Sequence, residues 1–254
     1  IFSALMLPIV FLMAPAIYSS WQKTDYSKLK KNLLSLCFYS ILISYIFLNF
    51  LYDSNIFVVY LAMFLAFFTI LSSLVKIIQI IRIQNERGFL ALIRKTPSTI
   101  FANSFSHIGI GVLIVGITIS TYYSTQKEII MKEGSEITLQ DITVKFVGIE
   151  KKISKNYSSQ VGVFDAFKDD DYLISFFPEK RIYNIQKNVM TEAAISSNLA
   201  RDIYIAMGDQ FTSDSWVVRI YYKPFIQLIW YGAVLMILGG IFGIFGREKL
   251  SKNT

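Results

Sequence analysis

The residue in this chain best suited to chemistry is its one histidine, His107. It stands inside the run Ile100-Phe-Ala-Asn-Ser-Phe-Ser-His107-Ile-Gly-Ile-Gly-Val-Leu-Ile-Val-Gly-Ile-Thr-Ile-Ser120. An apolar span offers imidazole no water, so the ring must face a bundle interior where something binds it, or hydrogen-bond a neighbouring helix. Imidazole is also a common axial ligand of haem iron, and on this feature alone both readings stand. On a helix, Asn103, His107, Gly111, Ile114 and Thr118 share one face, with Ser104 beside them. A glycine one turn from the histidine would leave space for a flat ligand over the ring. The plainer reading of Gly111, and of Gly109 and Gly116 on roughly the opposite side, is close helix packing, as it is for Gly239-Gly-Ile-Phe-Gly243.

A second set of polar groups lies downstream: Glu179-Lys-Arg181-Ile-Tyr183, Met190-Thr191-Glu192, Arg201-Asp202-Ile-Tyr204, and Arg219, Tyr222 and Lys223 in the stretch from Trp216 to Phe225. Such clusters form solvated faces and salt bridges. The sharper alternative is partner docking, or an arginine pairing its planar fork with a carboxylate such as a haem propionate. Residues 124–223 contain no His and no Cys, so metal hydrolysis, thiol chemistry and a serine triad find no support there, and no catalytic group is assigned.

The elements that must position these residues follow from composition. With 54% hydrophobic and only 17% charged residues, the chain reads as a membrane protein, an α-helical bundle of about five spans with one external β-rich domain between the last two. Spans are expected at about 1–20, 33–52, 56–81, 98–122 and 224–246, each near the roughly 20 residues a bilayer requires. Pro8 and Pro15 mark the first for a kink, or for a span that starts outside this fragment. The net charge of +7 is no nucleic-acid footprint, because the bases gather beside the apolar runs. Residues 21–32 hold Lys23, Lys28, Lys30 and Lys31 against Asp25; residues 82–99 hold Arg82, Arg87, Arg94 and Lys95 against Glu86; the tail at 247–254 holds Arg247, Lys249 and Lys252 against Glu248. The positive-inside rule puts these on the cytoplasmic (or mitochondrial matrix) side, and residues 52–55 and 124–223 outside. Cys37 stands alone in an apolar stretch, which excludes an intrachain disulfide. The chain opens at Ile1 without a basic n-region, so a partial chain is expected rather than a signal peptide.

The external segment reads as strands. Ile137 to Val147 alternates in strand fashion, Asp170 to Pro178 ends on a breaker, and Trp216 to Tyr222 is a third strand. Lys223-Pro224 is placed to open the last helix, since proline suits a first helical turn. Tyr221, Tyr222 and Trp230 supply interfacial aromatics.

The segments also occur in a telling order. Ser106-His-Ile-Gly109 with Val-Gly-Ile-Thr118 resembles the histidine-bearing helix of CcmF, the haem lyase subunit of system I cytochrome c maturation (the CcmF/NrfE/CycK family). Tyr123-Ser-Thr-Gln-Lys-Glu128, Met131-Lys-Glu-Gly-Ser135, Pro178-Glu-Lys-Arg-Ile-Tyr183, Met190-Thr-Glu-Ala-Ala-Ile195, Arg201-Asp-Ile-Tyr-Ile-Ala-Met-Gly208 and Trp216-Val-Val-Arg-Ile-Tyr-Tyr-Lys-Pro-Phe225 are similar to that family's C-terminal third. The resemblance covers residues 98–247, and the first three spans only by hydropathy. It implies a lyase that joins haem vinyl groups to the thiols of a Cys-x-x-Cys-His apocytochrome c. In that family haem comes from the chaperone CcmE, the apocytochrome is presented by CcmH or CcmI, and a b-type haem sits within the bacterial or mitochondrial inner membrane. By this match His107 is one axial ligand of that haem, and the second ligand lies outside this chain. The tryptophan-rich external haem loop of the family has no counterpart here, so the fragment alone is not expected to be active. A reading from another class is a membrane-anchored periplasmic binding or sensor module whose histidine only packs.

Overall fold

The computed structural model describes residues 2–19, 26–52, 56–84 and 96–251. Lys23, Asp25, Glu86, Arg87, Arg94, Lys95 and Lys252, used above for orientation, lie outside the described residues, as do 53–55. The chain divides into two compact units, one of Ile1–Thr118 with Leu228–Thr254 and one of Ile119–Gln227.

The first unit is helical: α1 (Phe2–Tyr18), α2 (Tyr26–Leu51), α3 (Phe57–Gln84), α4 (Ser98–Tyr122) and α5 (Gln227–Ser251). Among the described residues four helices are long and apolar enough to cross a bilayer, at Leu29–Leu51, Phe57–Ile80, Ser98–Tyr122 and Gln227–Ile244. This is a multi-pass membrane protein. The first expected span corresponds to α1, of which Leu7–Tyr18 is an apolar stretch. Ala14, Leu36 and Phe68 bring α1, α2 and α3 together, and the Tyr18 hydroxyl donates to the Ser72 carbonyl at 2.9 Å. Ser40, Ser44, Thr69 and Ser73 are buried, and each hydroxyl donates to the carbonyl four residues back, so none is left unsatisfied in the apolar layer.

Glycines set how α4 packs. A Cβ on Gly109 would lie 2.6 Å from the Gly232 carbonyl oxygen, and one on Gly116 2.8 Å from the Ile229 nitrogen. A Cβ on Gly239 would overlap the Ser106 hydroxyl. One face of α4 therefore meets α5 almost backbone to backbone. The ring of Phe242 stacks on Phe105 at 5.5 Å. Gly111 faces the other way, where a Cβ would overlap Ile70 Cγ1 and lie 2.9 Å from the Ala66 carbonyl oxygen of α3.

The second unit is a β-sandwich of antiparallel strands: β1 (Thr125–Lys132), β2 (Glu136–Leu139), β3 (Ile142–Ile153), β4 (Tyr157–Lys168), β5 (Asp171–Phe176), β6 (Glu179–Tyr183), β7 (Val189–Glu192), β8 (Ala194–Ser197), β9 (Arg201–Thr212) and β10 (Ser215–Pro224). One sheet runs β1-β10-β9-β8, the other β2-β3-β4-β6-β7 with β5 also on β4. Alternate residues fill the core: Ile142, Val144 and Phe146 from β3 and Phe164 and Ala166 from β4 oppose Ile203, Ile205 and Met207 from β9 and Trp216, Val218 and Ile220 from β10. Phe146 and Phe164 stack at 4.7 Å.

Two expectations change. The alternating run from Ile137 to Val147 is a hairpin, not one strand: Leu139 pairs with Ile142, and Gln140 turns the chain with φ 58°. Alternation survives a two-residue turn, which is why the pattern hid it. Pro224 does not open the last helix but ends β10, opposite Arg201. Phe225 takes φ 51° and donates its N–H to the Ala200 carbonyl at 2.8 Å, so α5 waits until Gln227.

Candidate functional site

His107 lies on α4, half-buried, between exposed Asn103 and buried Gly111 on one face of the helix. Its Nδ1 is buried and has no hydrogen-bond partner among the described residues. An imidazole in an apolar setting with one nitrogen unsatisfied is a costly arrangement for a packing residue and a suitable one for a metal ligand. Haem iron takes an imidazole lone pair, so the residue fits the group. Gly111 behaves differently from the expectation of open space over the ring: Ile70 and the Ala66 carbonyl of α3 occupy it, and in this chain Gly111 is a packing glycine. Asn103, exposed one turn earlier, continues the polar face instead.

The downstream candidates fall in separate places on the sandwich. Glu179, Arg181 and Glu192 come together because β6 pairs with β7, Glu179 opposite Glu192. Arg181 Nε donates to Glu179 Oε2 at 2.8 Å, and Nη1 lies 3.3 Å from Glu192 Oε1. The guanidinium rests 4.8 Å above the Tyr157 ring, and Tyr157 meets Tyr183 at 5.8 Å. The hydrogen bond to Glu179 pushes the arginine's pKa further up. With both carboxylates engaged and one face covered, Arg181 is committed within the domain. Ser159, on the strand beside it, is 5% exposed, and its hydroxyl has no partner among the described residues. Thr191 is exposed opposite Lys180, whose ammonium pairs with Asp209.

Arg201, Asp202, Tyr222 and Lys223 lie at the other end of the strands, where β9 begins and β10 ends. Asp202 accepts from Gln227 Nε2 with both oxygens at 3.1 Å, which holds the first residue of α5. Lys223 sits 5.8 Å from the Tyr221 ring centroid. Burial raises the Tyr222 hydroxyl pKa, with the Asp141 charge adding to it. Arg219 pairs with Glu128 at 3.0 Å, both more than half exposed, so the pair contributes little.

Sequence reading missed Asp141 and Lys168, which join at 2.7 Å beside Tyr222 and Arg201. Burial alone would raise the Asp141 carboxyl pKa. Hydrogen bonds from Lys168 and from its own backbone amide, with the Lys168 and Arg201 charges, outweigh burial and hold it below the usual range. No local pattern announces such a pair, because β2–β3 and β4–β5 hairpin turns bring it together. Tyr157 was missed too, though its strand parity with Ser159 could have put it beside Arg181.

Comparison with known proteins bears on both units. The family model described as the CcmF C-terminal beta-sandwich matches residues 122–224. The cytochrome c-type biogenesis protein CcmF of Escherichia coli K12 is 31% identical over 258 residues, covering 98% of this chain. That of Haemophilus influenzae is 29% identical over 247 residues, covering 97%. The chain belongs to the CcmF family, as its C-terminal part. It spans 38% of the length of both those CcmF proteins. The solved structure of a cytochrome c haem lyase CcmF overlays this chain with TM-score 0.70 at 14% identity, over 95% of this chain and 39% of the solved one. This places membrane helices and β-sandwich in the CcmF fold. The NrfE protein of H. influenzae is 28% identical over 153 residues, so the relatives include differently named members.

Proposed function

We propose that this chain is the C-terminal portion of a cytochrome c haem lyase and that His107 would hold an intramembrane b-type haem through its imidazole, together with a ligand from outside this chain. The observation that carries the reading is the buried, unpartnered Nδ1 of His107 on apolar α4, in a chain of the CcmF family. Bound there, haem supplies one-electron chemistry whose potential is set by its ligands and the low dielectric. The contribution of the chain's own residues is positional. Gly109, Gly116 and Gly239 lock α4 to α5, and Gly111 locks it to α3, so the imidazole is presented from a fixed backbone.

The haem destined for the apocytochrome is substrate, not a resident group. Its vinyl groups form thioethers with Cys-x-x-Cys-His thiols, with CcmE as haem donor and CcmH or CcmI presenting the polypeptide. The sandwich lies on the periplasmic or intermembrane side of an inner membrane, by the charge of the loops, and supports the active face or docks partners. It supplies no catalytic acid or base that the geometry identifies.

The test is a reduced-minus-oxidised spectrum of this chain joined to the complementary portion of a CcmF relative, as wild type and as His107→Ala. A b-type band lost or shifted in the variant supports the ligand. A variant that keeps its haem unchanged removes His107 from the site, and a colourless joined protein leaves the membrane-anchored binding module in place of the lyase.

A further inference from the structure

The sandwich core stops short of one end of its larger sheet. On the inner face of that sheet, Ile149 packs against the core, and the next row across the strands is Lys151, Gln160, Lys180 and Thr191. Lys180 ties this row to β9 through Asp209 and the Gly208 carbonyl. One row further out stand Ile153, Ser158, Ile182 and Val189, each opposite the next in register. By strand parity they continue the core face, and nothing among the described residues covers them: Ile153 is 88% exposed, Ile182 44% and Val189 56%. Ile185, in the turn that follows β6, is 92% exposed. Exposed leucines and isoleucines are ordinary singly; three β-branched residues in one aligned row of four on a core-facing side are not.

Charge says what covers it. Residues 151–158 and 180–190 carry Lys151, Lys152, Lys155, Lys180, Arg181 and Lys187 and no acid. Lys152, Lys180 and Arg181 are answered by Glu179, Asp209 and Glu192. Lys151, Lys155 and Lys187 are exposed and have no ion-pair partner among the described residues. The row is also at the opposite end of the strands from Thr125 and Pro224, where the chain enters and leaves the sandwich.

We propose that this lysine-rimmed shelf, the inner face of β3, β4 and β6–β7 beyond Lys180, is a docking site for a partner polypeptide segment that sets aliphatic or aromatic side chains between acidic ones. The apolar row desolvates the centre of the contact, and the lysines steer the acidic flanks and fix their register. The proposal concerns the sandwich alone and stands apart from the haem reading.

A photo-crosslinking phenylalanine analogue replacing Ile182, with a control replacing exposed Tyr172 at the other end of the domain, tests it in membranes holding the joined protein and its maturation partners. The adducted peptide is sequenced, synthesised and titrated against the purified full chain in detergent. The expected result is an adduct at position 182 and not at 172, to a peptide with apolar residues flanked by Asp or Glu. Its affinity falls at least tenfold in the Lys151→Glu/Lys187→Glu variant and in Ile182→Asp, and weakens with salt. Both variants change exposed side chains and are checked for unaltered melting; the charge variant decides the matter if Ile182→Asp melts early. An adduct to lipid, to a second copy of this chain, or to a peptide without acids overturns the proposal, as does no adduct or an affinity that neither variant changes.

Discussion

Ser159 and Arg181 sit side by side on the outer face of the sandwich and should respond in opposite ways to truncation. The Ser159 hydroxyl is desolvated without a partner among the described residues, an arrangement that costs about 1–3 kcal/mol. Ser159→Ala is therefore expected to melt at or above the wild-type temperature. Arg181→Ala instead leaves Glu179, which is 14% exposed, with only the distant Lys152 at 4.0 Å, and is expected to destabilise the chain by roughly 1–2 kcal/mol, discounted for the arginine's partial exposure. Circular dichroism melts of the full chain in detergent compare the two. The Asp141–Lys168 pair predicts a pH effect. The Asp141 pKa is depressed in the folded chain, so its contribution is present above the ordinary carboxylate pKa of about 3.9 and is lost as pH falls through the lower folded value. Lys168→Ala removes the hydrogen bond and charge that lower it most, so the variant should be less stable than wild type above that ordinary pKa, with the gap closing as pH falls through the lower folded value; melts that coincide at neutral pH would remove the pair from the account.

Among the elements, α4 and α5 depend on the absence of side chains at particular points. Gly232→Leu has to force a Cβ already within 2.6 Å of the Gly109 carbonyl oxygen, and overpacking of that kind costs about 1–3 kcal/mol or more. Gly240 has nothing within 4 Å, so Gly240→Leu is expected to melt like wild type. Equal melting of the two variants would mean that the helices do not meet at Gly232. The same comparison shows which glycines in the Gly239-Gly-Ile-Phe-Gly243 stretch matter: spacing marks a small-residue face, but only the neighbour's position says which member is pressed.

For the whole molecule, hydropathy revealed the apolar helices from α2 to α5, because roughly 20 apolar residues have few other uses. The β-rich insert was equally legible, since strand alternation persists wherever one face is buried. Its topology was not. Gln140 and Asp141 look like two more residues of an alternating strand, and Phe225 gives no sign that it, rather than Pro224, breaks the path into α5. Half of the candidate site was legible in the same sense: His107 stood out by its type and surroundings. The filled space at Gly111 and the saturation of Arg181 depend on residues far away in sequence, Ile70 in one case and Tyr157 in the other. Sidedness makes a further prediction. With Cys37→Ser as background, Lys187→Cys is expected to react with a membrane-impermeant maleimide in intact spheroplasts, and Lys23→Cys only after lysis. The reverse pattern would invert the orientation drawn from the basic loops.

Thr125 and Tyr222 are register partners at the point where the sandwich begins and ends. The insert thus departs and returns through one narrow doorway, two strands wide, between α4 and α5. It is a cassette. Cutting at this doorway and closing the gap with a few residues would leave α4 and α5 as an ordinary helical hairpin, and a relative's sandwich could be spliced in at the same two residues. Domain exchange between CcmF and NrfE proteins at this seam could therefore assign partner choice to the insert or to the helices, one gene segment at a time.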